Sequence, residues 1–302
     1  MINLAPLRYA RVLSRHNGPI ERIEYSRLRI CGRDMYQANA YLSRWLNIER
    51  QENRIFSNAD GTGTHPSAMV ARNKAVSEAI ERWALHYLNR MGKTRLYGLD
   101  EDSSSNGMSA FPGLFDYQAR IRARREAAER FCLIHWWNRD LRSIELGTED
   151  PEVNSIELEN PVSRDRVVLS WKRARGGFFA YGFAADARLK GARWKAIVEM
   201  ERARTALEAF YQDNPGFERE DLSTLGNPLE RRVVHYSLPQ GHREFRECLA
   251  ARPARSLDGN TLRPVVDRKV KGPWTRYATV WRTLFPMPKR EYLNSYTNFF
   301  FW

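Results

Sequence analysis

Three long helical stretches of this chain carry one repeated pattern, and that repeat constrains the fold more than any other feature. The first, within a helix predicted over His65–Arg90, reads Ala75-Val-Ser-Glu78-Ala-Ile-Glu81-Arg82-Trp83. The second, predicted over Gln118–Trp137, reads Ala123-Arg-Arg-Glu126-Ala-Ala-Glu129-Arg130-Phe131. The third, predicted over Ala192–Tyr211, reads Ala196-Ile-Val-Glu199-Met-Glu-Arg202. In each an Ala stands three residues before a Glu, and residues three apart share a helix face.

The segments between these helices alternate differently. Gly18–Ile30 reads as one or two strands after a turn at Asn17-Gly18, and Ala38–Ile48 as a short amphipathic helix. Ser57–Gly63 is rich in turn formers. Strands are predicted at Ser143–Leu146, Asp165–Trp171, Phe178–Phe183 and Ala278–Leu284, and a further helix near Gly241–Ala251. Runs of strands interleaved with helices in this order predict an α+β fold. At 302 residues the chain is long enough for a proper core. No Gly/Ser-rich or Pro-rich linker divides it. The reading is a short basic lead-in over residues 1–17 and a single domain over 18–302.

Composition excludes several classes. Hydrophobic residues make up 42% and charged residues 28%, which is ordinary for a globular chain. No apolar run approaches the roughly 18 residues that span a bilayer, and no secretory signal pattern opens the chain. Cys31, Cys132 and Cys248 are odd in number and far apart, so neither a disulfide framework nor a zinc site is expected, and a cytoplasmic location fits. The formal charge of +13 favours polyanionic partners. The arginines are nonetheless scattered and no nucleic-acid motif is present, so nucleic-acid binding ranks low.

The repeat places Glu78 beside Glu81 and Glu126 beside Glu129, with small or apolar neighbours around them. Like charges so spaced oppose helix formation by a few tenths of a kcal/mol. Partly buried carboxylates need cations or hydrogen-bond donors. Mg²⁺ takes oxygen ligands and commonly joins one or two carboxylates to nucleotide phosphates. Glu78, Glu81, Glu126, Glu129 and Glu199 are therefore candidate metal ligands, with Arg82, Arg130 and Arg202 as forks for phosphate. The competing reading is three solvated helix faces with pairs such as Arg122–Glu126. Arg122 and Arg125, part of the charge run over Arg120, Arg122, Arg124 and Arg125, lie on the side of Glu126 and Glu129.

Gly61-Thr-Gly63 ahead of Ala71, Ala75 and Glu78-Ala-Ile-Glu81-Arg82 resembles the YcaO family. So do Asn106-Gly107-Met-Ser before the second helix, Tyr181-Gly182-Phe-Ala-Ala before the third, and Trp281-Arg282-Thr-Leu-Phe-Pro286. The segments occur in order from about Gly18 to Pro286. The resemblance implies a YcaO-like α+β fold, mixed sheets with the three glutamate-bearing helices around a nucleotide site. It implies ATP and Mg²⁺ as cofactors and phosphorylation of a peptide amide oxygen. A neighbouring Cys, Ser or Thr then closes an azoline ring in a ribosomally made precursor peptide. Relatives form thioamides or amidines instead. Arg82, Arg130, Arg202 and Arg282 would be catalytic. Gly61, Gly63 and Lys74 would join these arginines and the five glutamates at the nucleotide. Expected partners are the precursor peptide, a leader-binding protein and a flavin dehydrogenase.

The chain departs from the family pattern at Lys74, where a Ser is common, at Thr62, where a Lys is, and at Arg202, where a Gln is. No Pro-rich tail follows; the sequence ends Asn298-Phe-Phe-Phe-Trp302. Lys74 can meet a phosphate as a point charge. The rivals are a YcaO-fold subunit with a degenerate site and a basic nucleic-acid-binding protein. Among weaker signals, Gly61-Thr-Gly63 alone reads as an ordinary turn, His65 as a surface residue and His135-Trp136-Trp137 as packing. The four terminal aromatics are expected to dock into a core or a partner.

Overall fold

Every pairing between strands among the described residues is antiparallel, which sets the chain apart from doubly wound α/β folds and bears out the α+β expectation. The computed structural model describes residues 2–46, 48, 53–147, 150–253, 257, 262–286 and 300. In chain order its elements are α1 (Ala5–Arg8), β1 (Ile20–Ile30), β2 (Arg33–Leu42), β3 (Gly61–His65), α2 (Ala68–Arg90), β4 (Met108–Phe111), α3 (Asp116–Trp137), β5 (Ser143–Glu145), β6 (Asn154–Leu158), β7 (Arg166–Arg173), β8 (Phe179–Asp186), α4 (Leu189–Asp213), α5 (Pro228–Ser237), α6 (Pro239–Ala250), β9 (Val266–Val270) and β10 (Thr279–Leu284). No helix among the described residues is long and apolar enough to cross a membrane.

The chain divides into two compact units. The first comprises Met1–Arg50, Asn58–Ala127 and Pro264–Leu284; the second comprises Gln51–Ser57, Ala128–Arg263 and Phe285–Trp302. Helix α3 begins in the first and ends in the second.

In the first unit, β1-β2-β3 form one sheet and β4-β10-β9 another. The segment predicted as a helix over Ala38–Ile48 is instead β2, followed by a short 3₁₀ turn at Arg44–Leu46. Cys31 and Gly32 both take positive φ, 47° and 72°, the two-residue turn that matches the twist of a hairpin. That turn locks β1 to β2, and Ala38, Ala40 and Leu42 then point into the core. The residues read as a lead-in contribute to the same core: Ala5, Tyr9 and Val12 are buried, and Leu4 N–H donates to Pro112 O at 2.8 Å. Trp274 anchors the far side, edge-on to Trp83 and Tyr87 with ring centroids 5.7 and 5.3 Å apart.

Gly61-Thr-Gly63, predicted as part of a turn-rich loop, is the start of β3. The two glycines lie against α2. A Cβ on Gly61 would sit 2.2 Å from Ala75 O, and one on Gly63 would sit 2.2 Å from Ala71 O. Strand and helix therefore approach to backbone contact, which only Gly facing Ala permits.

The second unit repeats the device. Its sheet runs β5-β6-β7-β8, and α4 lies on β8 and β7. A Cβ on Gly182 would sit 2.2 Å from Met200 N and 2.3 Å from Ala196 O. Beneath this, Phe245 is packed by Trp171, Tyr181 and Phe300, with centroids 4.9–5.0 Å away. His135 and Trp136 are buried as expected of packing residues. Phe300 is 1% exposed, the docking expected of the aromatic end; Phe299, Phe301 and Trp302 lie outside the described residues. Strands β4, β6 and β9 and helix α5 were not predicted.

This close approach is testable. Gly182→Ala forces backbone to move and is expected to cost about 1–3 kcal/mol in thermal or denaturant unfolding. Gly147→Ala, with nothing within 4 Å of the new methyl, is expected to change stability by less than ~0.5 kcal/mol.

Candidate functional site

The predicted site residues fall into two groups, one in each unit. In the first unit, Ala75 sits at the contact with β3, so Glu78, one turn on, meets the backbone of that strand. Its carboxylate accepts from Thr62 N–H at 2.9 Å and from the Thr62 hydroxyl at 3.4 Å, and Arg82 lies 3.8 Å away. Glu81 faces β4 and accepts from Ala110 N–H at 2.7 Å. Lys74 donates to Thr64 O at 3.1 Å, a bond to the strand it packs against.

Glu81 is the electrostatic centre of this group. Dense surrounding protein pushes its carboxyl pKa well above the ordinary range; the charge of Glu126 pushes the same way, and that of Glu78 adds to it. The Ala110 amide and Arg122 oppose the rise. Arg122 lies over the Phe111 ring at 4.3 Å. Tyr9 is fully buried with its hydroxyl 2.8 Å from Ser77 Oγ, and its charge environment includes Glu81 and Arg122. The structure thus brings Glu78, Glu81 and Glu126 together within one unit, with Arg82 and Arg122 beside them.

In the second unit Glu129 accepts from Ala185 N–H of β8 at 2.8 Å. Burial lifts its pKa to about 7, helped by Glu199 and opposed by Arg130 and Lys195. Arg130 lies over Phe183 at 4.7 Å. Glu199 is held by both oxygens to Arg202, at 2.8 and 2.9 Å. Glu129, Arg130, Glu199 and Arg202 are therefore a second group, with Lys195 next to it.

Arg282 stands apart from both. It is fully buried, and its guanidinium donates to the carbonyls of Asp102 at 3.0 Å, Ser104 at 3.1 Å and Asn106, with the Asp102 carboxylate 3.6 Å away. Its place is inside a loop, as a brace. Gly61 and Gly63 serve helix packing, as described above.

Sequence reasoning missed Tyr9 and Ser77, 68 residues apart, because nothing local signals such a pair. It also missed the backbone donors Thr62, Ala110 and Ala185. A faint signal existed in two of the three repeats: Ala75 and Ala196 mark helix positions thin enough to admit a strand. Among the described residues no group of three or more His, Cys, Asp or Glu forms a ready metal cage.

No protein-family model matches the chain. No curated protein matches it in sequence. Among solved structures, it is similar to YcaO from Methanopyrus kandleri bound with AMPPCP and Mg²⁺, at a TM-score of 0.53 and 12% identity, covering 92% of this chain and 88% of that one. The chain has a YcaO-like fold. At that identity the likeness is one of architecture, and the expected fold is borne out.

The elevated pKa of Glu129 makes stability depend on pH. The unfolded carboxyl ionises near pH 4.5, the folded one near 7. Between these values the folded state holds the extra proton, so its contribution is full below about pH 4.5 and is lost as pH rises through 7. Glu129→Gln is expected to flatten that part of the stability profile, by at most ~3 kcal/mol, in denaturant unfolding measured from pH 4.5 to 8.

Proposed function

We propose that the chain is an ATP-dependent, Mg²⁺-dependent enzyme that activates a peptide backbone amide by phosphorylation. Azoline formation at Cys, Ser or Thr of a ribosomally made precursor peptide is the reaction we assign. One observation carries this reading: in a YcaO-like fold, helix-borne carboxylates are grouped so that they repel one another, Glu81 with Glu126 and Glu78, and Glu129 with Glu199.

The donor set fits the metal. It is all oxygen, and Glu78, Glu81 and Glu129 are each oriented by a strand amide. Mg²⁺ needs only one or two carboxylates when phosphates complete its shell, so a preformed protein cage is not required. Bound Mg²⁺–ATP would supply the phosphoryl group that turns the amide oxygen into a leaving group. The protein's part is positioning and charge neutralisation. Glu78, Glu81, Glu126, Glu129 and Glu199 would hold metal, and Arg82 and Arg130 would face phosphate. Lys74 and Arg282 we assign to positioning: the first is bonded to β3, the second to the loop ahead of β4. Leader recognition we assign to a partner protein, with a flavin dehydrogenase acting afterwards. Among the described residues Cys31, Cys132 and Cys248 form no disulfide, which suits the cytoplasm where ATP is available.

A second reading, a YcaO-fold subunit without catalysis, is favoured by one contact. Arg202 holds both oxygens of Glu199, the atoms a metal would use.

Calorimetric titration with a non-hydrolysable ATP analogue and Mg²⁺ separates the two. Saturable, Mg²⁺-dependent binding is expected, and its absence favours the second reading. Glu81→Gln keeps an oxygen for Ala110 N–H and removes the charge that burial penalises, so the fold should hold its melting temperature. Activity should drop on the order of a thousandfold through loss of a metal ligand. Azoline formation is read as one water mass lost per ring. A sulfur-for-oxygen mass change would point instead to a thioamide. Purified chain without a partner is expected to turn over leader-bearing peptide poorly; efficient turnover alone would refute the partner assignment.

A further inference from the structure

Strand β1 ends its sheet, and most of its outer edge is open. The order is β1-β2-β3, so among the described residues β1 has a strand neighbour on one side only. The segment around Leu13 covers the start of that edge: Leu13 bridges Ile20, and Ser14 Oγ reaches Glu21 O at 3.5 Å. A register shift between Ile20 and Arg22 then turns the strand, and the covering segment leaves it. From there to Ile30 the backbone edge is unoccupied among the described residues, and Glu24–Arg27 are exposed. Such a row of unpaired N–H and C=O groups is a template for an added strand.

Where the cover ends, a cleft of about 300 Å³ opens beside the edge. Ile23 and Tyr25 of β1 and Leu13 supply its apolar wall, and Arg15 and Arg72 its charge, against one carboxylate, Glu21; Arg22 also lines it, with its guanidinium over the Tyr41 ring at 3.7 Å. Arg22 is paired with Glu24 at 2.9 Å, and Glu21 has Arg44 at 3.9 Å. Arg72, from α2, makes only long contacts, 3.4 Å to Asn73 Oδ1 and 3.5 Å to Tyr9 O. The cleft therefore carries a net positive charge next to a hydrogen-bonding edge. An edge supplies affinity through main-chain bonds, and a pocket beside it selects the side chain of every second residue.

We propose that the open edge of β1 receives an extended acidic segment of the peptide substrate as an added strand, with an acidic side chain seated in the cleft between Arg15 and Arg72. Identifying the occupant as substrate rests on the proposed function; the edge and the cleft do not. Acidic residues alternating with small apolar ones meet both walls, and the chain's formal charge of +13 draws such a peptide in.

The probe is a fluorescein-labelled peptide alternating Glu and Val, as long as the open edge, titrated into the full chain without nucleotide and followed by anisotropy. Saturable binding is expected. It should weaken at least tenfold when Lys replaces Glu in the peptide, and when alternate peptide nitrogens are methylated on the edge-facing side. Arg15→Glu and Arg72→Glu should each weaken it similarly. Arg15 is exposed, so at least this variant keeps its fold. Undiminished binding of the Lys peptide or of both methylation registers overturns the proposal, as does binding unchanged by both variants. Displacement by an oligothymidine of equal charge would reveal mere polyanion attraction and also overturn it. Analogue and Mg²⁺ binding measured on the same variants should be unchanged. That measurement separates failure of this site from failure of the nucleotide reading.

Discussion

Backbone contact between a helix and a strand, made through Gly against Ala, is the constraint on which both units rest. At an ordinary helix–sheet distance, side chains fill the gap and a helix carboxylate is too far from the strand to meet its amide. Gly61 against Ala75 and Gly182 against Ala196 remove that gap. The glutamate one helical turn further on then reaches strand backbone, as Glu78 does at Thr62. At Ala75 and Glu78 the three-residue spacing thus has a cause: the alanine admits the strand and the glutamate meets its amide, whereas Glu199, three residues after Ala196, is held by Arg202 instead. Glu81 and Glu129, each one turn beyond another glutamate and not beyond an alanine, also meet strand amides, those of Ala110 and Ala185.

Electrostatics follows from this geometry. A carboxylate fixed by one strand amide cannot swing into water to escape its neighbours. Glu81 therefore keeps both its burial and its repulsion by Glu126, and holds its proton more tightly. A structural ion pair would have been arranged to lower that proton affinity. Burial is the larger cause of that raised proton affinity, and the neighbouring carboxylate adds to it. In the second unit Arg202 holds Glu199, while Glu129 stays at about 7 despite Arg130 and Lys195 nearby.

What was legible in the sequence follows the same division. The three helices were legible because Ala, Glu and aromatic residues recur at helical spacing, and the observed bounds Ala68–Arg90, Asp116–Trp137 and Leu189–Asp213 differ from the expected ones by a few residues. Residues 38–48 misled because Ala and Leu favour helices. Hairpin pairing to β1 overrode that local preference, through a turn at Cys31-Gly32 whose first residue is not a usual turn former. Gly61-Thr-Gly63 misled for the opposite reason: glycines signal turns, yet here they let a strand lie on a helix. The glutamates of the site were legible as a repeat. Their partners were not, because backbone amides carry no sequence signal and Tyr9 finds Ser77 only through the fold.

Arg282 shows how a residue can bear on the site of the first unit without being exposed there. Its side chain holds the carbonyls of Asp102, Ser104 and Asn106, which fixes the loop leading into β4. Its own strand pairs with β4 in register, Arg282 with Met108 and Val280 with Ala110, and Thr283 N–H closes on Gly107 O at 2.8 Å. Ala110 is the residue whose amide holds Glu81. A buried guanidinium with an acidic partner is costly to leave half-paired, so the loop, the strand and the amide are held as one arrangement. The position of the Glu81 carboxylate is set from both sides, by the helix that carries it and by a strand that Arg282 keeps in place.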